Sequence, residues 1–149
     1  MFTASCVTIV ANVLHFANNQ RPVVLLVDPD FVTRSALAAY LRQRDLSVLE
    51  AVSGQEALTV LRSNRIVHAL FCPSDLDGEV RGLEFVRIVC RDFSGVKVLL
   101  NAARPEHGNK QTKPFTVVGR PYPFAVVEHH LRDLLFERTG QPDRIDDAT

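Results

Sequence analysis

Little in this sequence announces an enzyme or a nucleic-acid binder. Lys and Arg total 17, Asp and Glu also total 17, and the 149 residues carry no formal net charge. That balance makes no electrostatic case for a polyanion or a membrane surface as partner. No basic stretch leads into a helix-turn-helix pattern, so no DNA-binding output module is expected. Glycine is scarce at seven residues. The first apolar run ends in Asp28-Pro29-Asp30-Phe31-Val32 rather than in a GxGxxG loop able to cradle a dinucleotide. The cysteine-loop pattern of thiol phosphatases is missing too, since the residue six after Cys72 is Gly78. No Ser-His-Asp grouping has a supporting motif.

Cysteine is equally sparse. Cys6, Cys72 and Cys90 are odd in number and contain no CxxC pair, which argues for a reducing cytoplasm and against a disulfide framework or a zinc site. Cys72 lies between Phe71 and Pro73, neither of which is a base that would activate it, and is read as a buried structural thiol. Long apolar runs are absent as well. The most apolar stretch, residues 1–20 (MFTASCVTIVANVLHFANNQ), lacks a positive leading region and is interrupted by Thr8, Asn12 and His15. Neither a signal peptide nor a membrane span is expected there. The segment reads as an extension, either loosely ordered or an amphipathic strand or helix covering the domain or a partner chain.

What is present is a core. Hydrophobic residues make up 46% of the chain, enough for one globular domain, placed at residues 21–138. Within it short apolar runs alternate with helical periodicity, the pattern of an α/β fold around a parallel sheet. Val23–Val27 is continuously apolar, as a strand buried on both faces should be. Further strands are expected at 46–52, 67–72, 96–100 and around 116–118.

Asp30 is placed to cap a helix with Leu37, Ala38 and Leu41 on one face. Ser53-Gly54-Gln55-Glu56 has capping-box spacing and opens a helix with Ala57, Leu58 and Leu61 inward. A third helix over 82–90 is expected to bury Leu83, Val86 and Val89 or Cys90. Pro123 suits the first turn of a last helix, whose inner stripe is Phe124, Val127, Leu131, Leu134 and Leu135. Between the fourth and fifth strands, 103–114 (ARPEHGNKQTKP) has two prolines, a glycine and few apolar residues, so a helix there should be short, distorted or missing. The polar residues 139–149 read as a flexible tail.

The segments VVLLVDPD, LSVLEAVSGQEAL, LDGEVRGLEFVR, VKVLLNAARPE and GRPYPF resemble, in that order, the receiver domains of response regulators in bacterial two-component signalling. The resemblance implies a flavodoxin-like, three-layer α/β/α sandwich with a five-stranded parallel sheet in the order 2-1-3-4-5. It also implies a phosphoacceptor aspartate, acids that hold Mg²⁺, a hydroxyl and a lysine, together performing phosphoryl transfer to a carboxylate.

This chain departs from that set at most positions. Asp28 matches the first acid, but Pro29 stands where the second is usual, with Asp30 beside it. Pro73 stands in the place of the phosphoacceptor, Asn101 in that of the Ser or Thr, and Arg120-Pro121 in that of the lysine-proline pair. Val117 falls near the switching Tyr or Phe. A guanidinium is not a compact ammonium, and Pro121 is expected to follow a cis bond, as the family's equivalent does.

Five departures in one pocket imply a pseudo-receiver without catalytic residues, not an enzyme, acting through protein–protein contact in the cytoplasm. Asp28 and Asp30 are the candidates for a metal. A lone strand-end acid more often serves as a cap or ion-pair partner, so no metal or cofactor is expected, and Arg120 is expected to pair with Asp28. The partner would be a histidine kinase, another regulator, or a second copy. The contact face would include Val117, Tyr122, His129 and His130.

Two alternatives stay open. Asp75 or Asp77 would serve as acceptor with Mg²⁺ if the loop shifted inward, although a residue two places along is displaced by several ångströms. Otherwise the layout belongs to a flavodoxin-like ligand-binding protein or enzyme, with its site at the carboxyl ends of the strands.

Overall fold

The apolar run Val23–Val27 forms β1, and its last four residues are buried. The computed structural model describes residues 21–78, 80–103 and 115–136; the segments 1–20, 104–114 and 139–149 discussed above fall outside them. After β1 come α1 (Phe31–Arg42), β2 (Ser47–Ala51), α2 (Gly54–Arg62), β3 (Ala69–Pro73), α3 (Gly82–Asp92), β4 (Lys97–Ala102), β5 (Thr116–Gly119) and α4 (Phe124–Leu135). All strand pairs are parallel and the sheet order is β2-β1-β3-β4-β5. This is the parallel α/β fold that the alternation of periods implies, in the flavodoxin-like strand order that the resemblance implies.

The two-residue repeat of a strand divides the core into two layers. Leu26, Phe71, Leu99 and Val118 face α1 and α4, packing with Leu37, Leu41, Val127 and Leu131. Leu25, Leu70 and Leu100 face α2 and α3, packing with Leu58, Leu61, Phe85 and Val89. The helix starts follow local chemistry. The Asp30 carboxylate accepts from the Thr33 amide at 3.1 Å and also takes the Thr33 hydroxyl, while Ser53 Oγ accepts from the Glu56 amide at 3.1 Å.

Three expectations need correction. The third strand runs one residue further than expected and includes Pro73, which pairs in register with Asn101. Ser74 N–H donates to the Asn101 carbonyl at 2.8 Å, so strand alternation turns the missing N–H of Pro73 toward β1. Pairing between β1 and β3 ends one step earlier, at Leu26 with Phe71, so the missing donor falls just past the end of that ladder.

The α3 stripe is rotated from the expected one. Gly82, Phe85, Val86 and Val89 are buried and Leu83 is 53% exposed. Gly82 sets this rotation by lying against the Ser74 carbonyl group, where a Cβ would come within 2.6 Å of the carbonyl carbon. Pro123, finally, precedes α4 as its N-cap residue rather than sitting inside its first turn. Among the described residues no helix is long and apolar enough to cross a membrane.

Candidate functional site at the carboxyl end of the sheet

In a sheet of this order, β1 and β3 flank the point where successive connections leave to opposite faces, and the crevice at their carboxyl ends is where such folds bind ligands. The side-chain alternation delivers a common set of residues to that end. Stepping by two from Leu26, Phe71, Leu99 and Val118 reaches Asp28, Pro73, Asn101 and Arg120, all on the α1/α4 side of the sheet. Tyr122 closes the group, its ring edge-on to Phe71 with centroids 5.5 Å apart. The residues aligned by sequence therefore do meet in space.

Their chemistry is that of a closed polar cluster. Asp28 Oδ1 accepts from the Asp30 amide at 2.9 Å. Burial pushes the Asp28 carboxyl above its ordinary pKa, and the neighbouring Asp30 charge adds to this, outweighing the backbone hydrogen bond and the pull of Arg34 and Arg120. Asp30 itself is held below its ordinary value by the Thr33 hydroxyl and amide. The Tyr122 phenol is raised, first by burial and then by the Asp28 carboxylate. The peptide bond between Arg120 and Pro121 is cis, as expected.

Arg120 does not pair with Asp28. Its Nη2 lies 3.2 Å from Asp75 Oδ1, so the expected bridge is replaced by one to the loop after β3. The reason is geometric and electrostatic together. Asp28 is half-buried and already engaged by Asp30, whereas Asp75 reaches the guanidinium from the solvent side and is 65% exposed. Asp77 stays exposed beside Gly78, whose φ of +113° is the left-handed turn conformation that glycine tolerates.

Two buried donors in the cluster have no partner, Asn101 Nδ2 and Arg120 Nε. Asn101 is only 2% exposed. Both are N–H groups and neither can ligate a cation. Proline at 29 and 73 removes the oxygen donors that a Mg²⁺ site would add to Asp28. Among the described residues no three of His, Cys, Asp and Glu group as metal ligands. The residues present do not fit Mg²⁺.

No protein-family model matches the sequence, and no curated protein does. Solved structures do. The chain is similar to a response regulator receiver protein from Sinorhizobium medicae, with TM-score 0.70 and 15% identity over 80% of this chain and 98% of that one. It is similar to the receiver domain of an HD domain-containing protein from Pseudomonas fluorescens, with TM-score 0.69 and 20% identity over 82% of this chain and 100% of that one. A third similar structure is the Thermotoga maritima response regulator TrrA in complex with Mg²⁺ and BeF, with TM-score 0.66 and 19% identity over 76% of this chain and 98% of that one. The fold is that of receiver domains.

The other residues expected on the contact face lie on β5 and α4. Val117 is half-buried against the α2/α3 layer. His129 is exposed and sits 3.3 Å from Asp133, and its ring contacts that of the half-buried His130.

Two contributors escaped the sequence reading. Arg34 is buried in α1, donating to the Asp28 carbonyl at 2.7 Å and to Glu50 at 3.2 Å, while Arg42 engages the other Glu50 oxygen at 3.2 Å. Its signal was positional, because 34 falls three, four and seven residues before Leu37, Ala38 and Leu41. Leu76, only 3% exposed, roots the acidic loop in the α2/α3 core; one leucine between two aspartates was the available sign. Cys72 is wholly buried and burial pushes its thiol far up, which suits a structural role.

Proposed function

We propose that this chain is a receiver-like module of bacterial two-component signalling that takes no phosphoryl group and acts through protein–protein contact. Likeness in fold to receiver domains supports the class. The observation that carries the mechanism is Pro73 as the last residue of β3. The strand end facing Asp28, Asn101 and Arg120 presents a pyrrolidine ring, which has no nucleophilic oxygen to form an acyl phosphate. The degenerate pocket comprises Asp28, Pro29, Asp30, Pro73, Asn101, Arg120 and Pro121, and needs neither metal nor cofactor.

The contact face comprises Val117, Tyr122, His129 and His130, with exposed Val126 and Phe136 adding apolar area on and after α4. The partner is a histidine kinase, another signalling regulator, or a second copy of the chain. Nucleic acid and membrane are not partners in this reading, and the free thiols suit a cytoplasmic setting.

One observation favours a second reading. Asp75 contacts Arg120, and an aspartate beside a cation could accept a phosphoryl group if Mg²⁺ were supplied. Intact mass after incubation with acetyl phosphate and Mg²⁺ separates the two. An unchanged mass is the expected result. A single phosphoryl adduct that disappears in Asp75→Ala would establish the second reading and overturn the first.

A further inference from the structure

The pair between Asp75 and Arg120 joins two loops that are far apart in sequence, one after β3 and the other after β5. Both loops are already fastened to the end of β4. Ser74 N–H donates to the Asn101 carbonyl at 2.8 Å, and Arg120 N–H donates to the Ala102 carbonyl at 3.0 Å. The ion pair closes the third side of a triangle across the carboxyl end of the sheet.

An exposed ion pair between free side chains contributes little, because both chains lose rotamer freedom and water screens the charge. Here much of that freedom is already gone. On the β3 side, Pro73 fixes its own φ and Leu76 is buried one residue beyond Asp75. Gly82 N–H donates to the Leu76 carbonyl at 3.3 Å. On the β5 side, Arg120 is only a third exposed, its Nε is buried, and Tyr122 is pinned on Phe71.

We propose that the Asp75–Arg120 ion pair is a permanent strap that couples the β3–α3 loop to the β5–α4 loop and holds the carboxyl end of the sheet in one conformation without covalent modification. The inference rests on the reading above, because a module that works as a constant surface needs its loops held by its own residues. It assigns a role to Arg120, which stands in the lysine's place, and to Asp75, which lies two residues beyond the acceptor's place. It also accounts for the choice of carboxylate, since pairing with the half-buried Asp28 would leave the loop after β3 untied.

The test is amide hydrogen exchange, read by mass spectrometry on the full chain and on Asp75→Asn, Arg120→Gln and the double variant. Asp75→Asn is expected to speed exchange at Gly119, Arg120 and Tyr122 by about 1.5- to 5-fold, the range of a partly exposed pair. Arg120→Gln is expected to do the same across 74–78, and the double variant should go no further than either single one, as for one shared link. Effects confined to the mutated loop, or a double effect equal to the sum of the singles, would overturn the strap.

Should a variant lose its cooperative unfolding, the wild-type chain answers the question. Its exchange in both loops should rise together between low salt and 1 M NaCl at about equal factors, and no joint rise would equally overturn the proposal. Neither experiment involves a partner or a phosphodonor. The strap can therefore fail while the contact surface stands, because exchange reads the coupling of the two loops and intact mass reads the adduct.

Discussion

Replacing Gly82 by alanine tests how the site is built. A Cβ at this position would come within 2.6 Å of the Ser74 carbonyl carbon and 3.1 Å of the Pro73 carbonyl oxygen. Both are backbone atoms of the turn that carries Asp75, and that backbone is held by the hydrogen bond from Ser74 to Asn101. No flexible side chain can swing aside, so α3 or the turn must shift. Forcing a methyl group into such a contact costs about 1–3 kcal/mol. The lower backbone entropy of alanine in the unfolded chain offsets about 0.4–1 kcal/mol of that.

The net loss should be about 1–2 kcal/mol, a fall in Tm of about 4–10 °C for a domain of this size. Two other glycines calibrate it. Gly54 would place its Cβ 3.2 Å from the Val80 carbonyl oxygen and 3.3 Å from the Phe85 ring, a milder crowding, and a Cβ on Gly95 would meet nothing within 4 Å. Urea unfolding should therefore rank the alanine variants Gly82, Gly54, Gly95 from most to least destabilised, with Gly95→Ala within about 0.5 kcal/mol of wild type. If Gly82→Ala were as stable as Gly95→Ala, the close approach of α3 to the turn would be refuted.

Other substitutions probe separate parts of the site. Burial raises the proton affinity of Asp28 in the folded state, so its ionised form costs stability above the folded pKa, and that cost is lost as pH falls through it. Asp28→Asn keeps an acceptor for the Asp30 amide, and should raise the unfolding midpoint at pH 7 and converge on wild type in acid. A variant less stable than wild type at pH 7 would contradict the sign. Leu76→Ala removes the loop's only buried anchor among residues 74–78. It should cost about 2–4 kcal/mol by urea unfolding. Arg34→Met retains bulk but loses the donors to Asp28 and Glu50. Since Arg42 still engages Glu50, the loss should be about 1–3 kcal/mol, and a neutral result would show the buried cation to be dispensable.

The parts of this molecule that obey local rules were legible without coordinates. Val23–Val27 is bounded correctly because a doubly buried strand must be apolar at every position. Ser53 and Asp30 cap as their spacing to Glu56 and Thr33 requires. The set Asp28, Pro73, Asn101 and Arg120 was legible because receiver strands end at fixed points in the sequence. What was not legible depended on relations between elements.

The α3 stripe could be read with Leu83 or with Phe85 inside, and only the approach of Gly82 to Ser74 decides between them. Proline reads as a strand breaker, yet Pro73 is admitted because its missing donor points where β1 has stopped pairing. The partner of Arg120 was misread because the sequence aligns strand ends and says little about how far a loop residue reaches back. Arg34 was overlooked because a charge on an apolar stripe is ordinarily assigned to the solvent face, and its compensating carbonyl and carboxylate come from the residue after β1 and from β2.

In the proposed function, the end of β3 at Pro73 takes no phosphoryl group. Amide ¹H–¹⁵N spectra of the full chain, recorded with and without beryllofluoride and Mg²⁺, address it most directly. Unchanged positions are expected for the amides of 74–78, Asn101 and Arg120. A saturable set of shifts centred on those residues would contradict it.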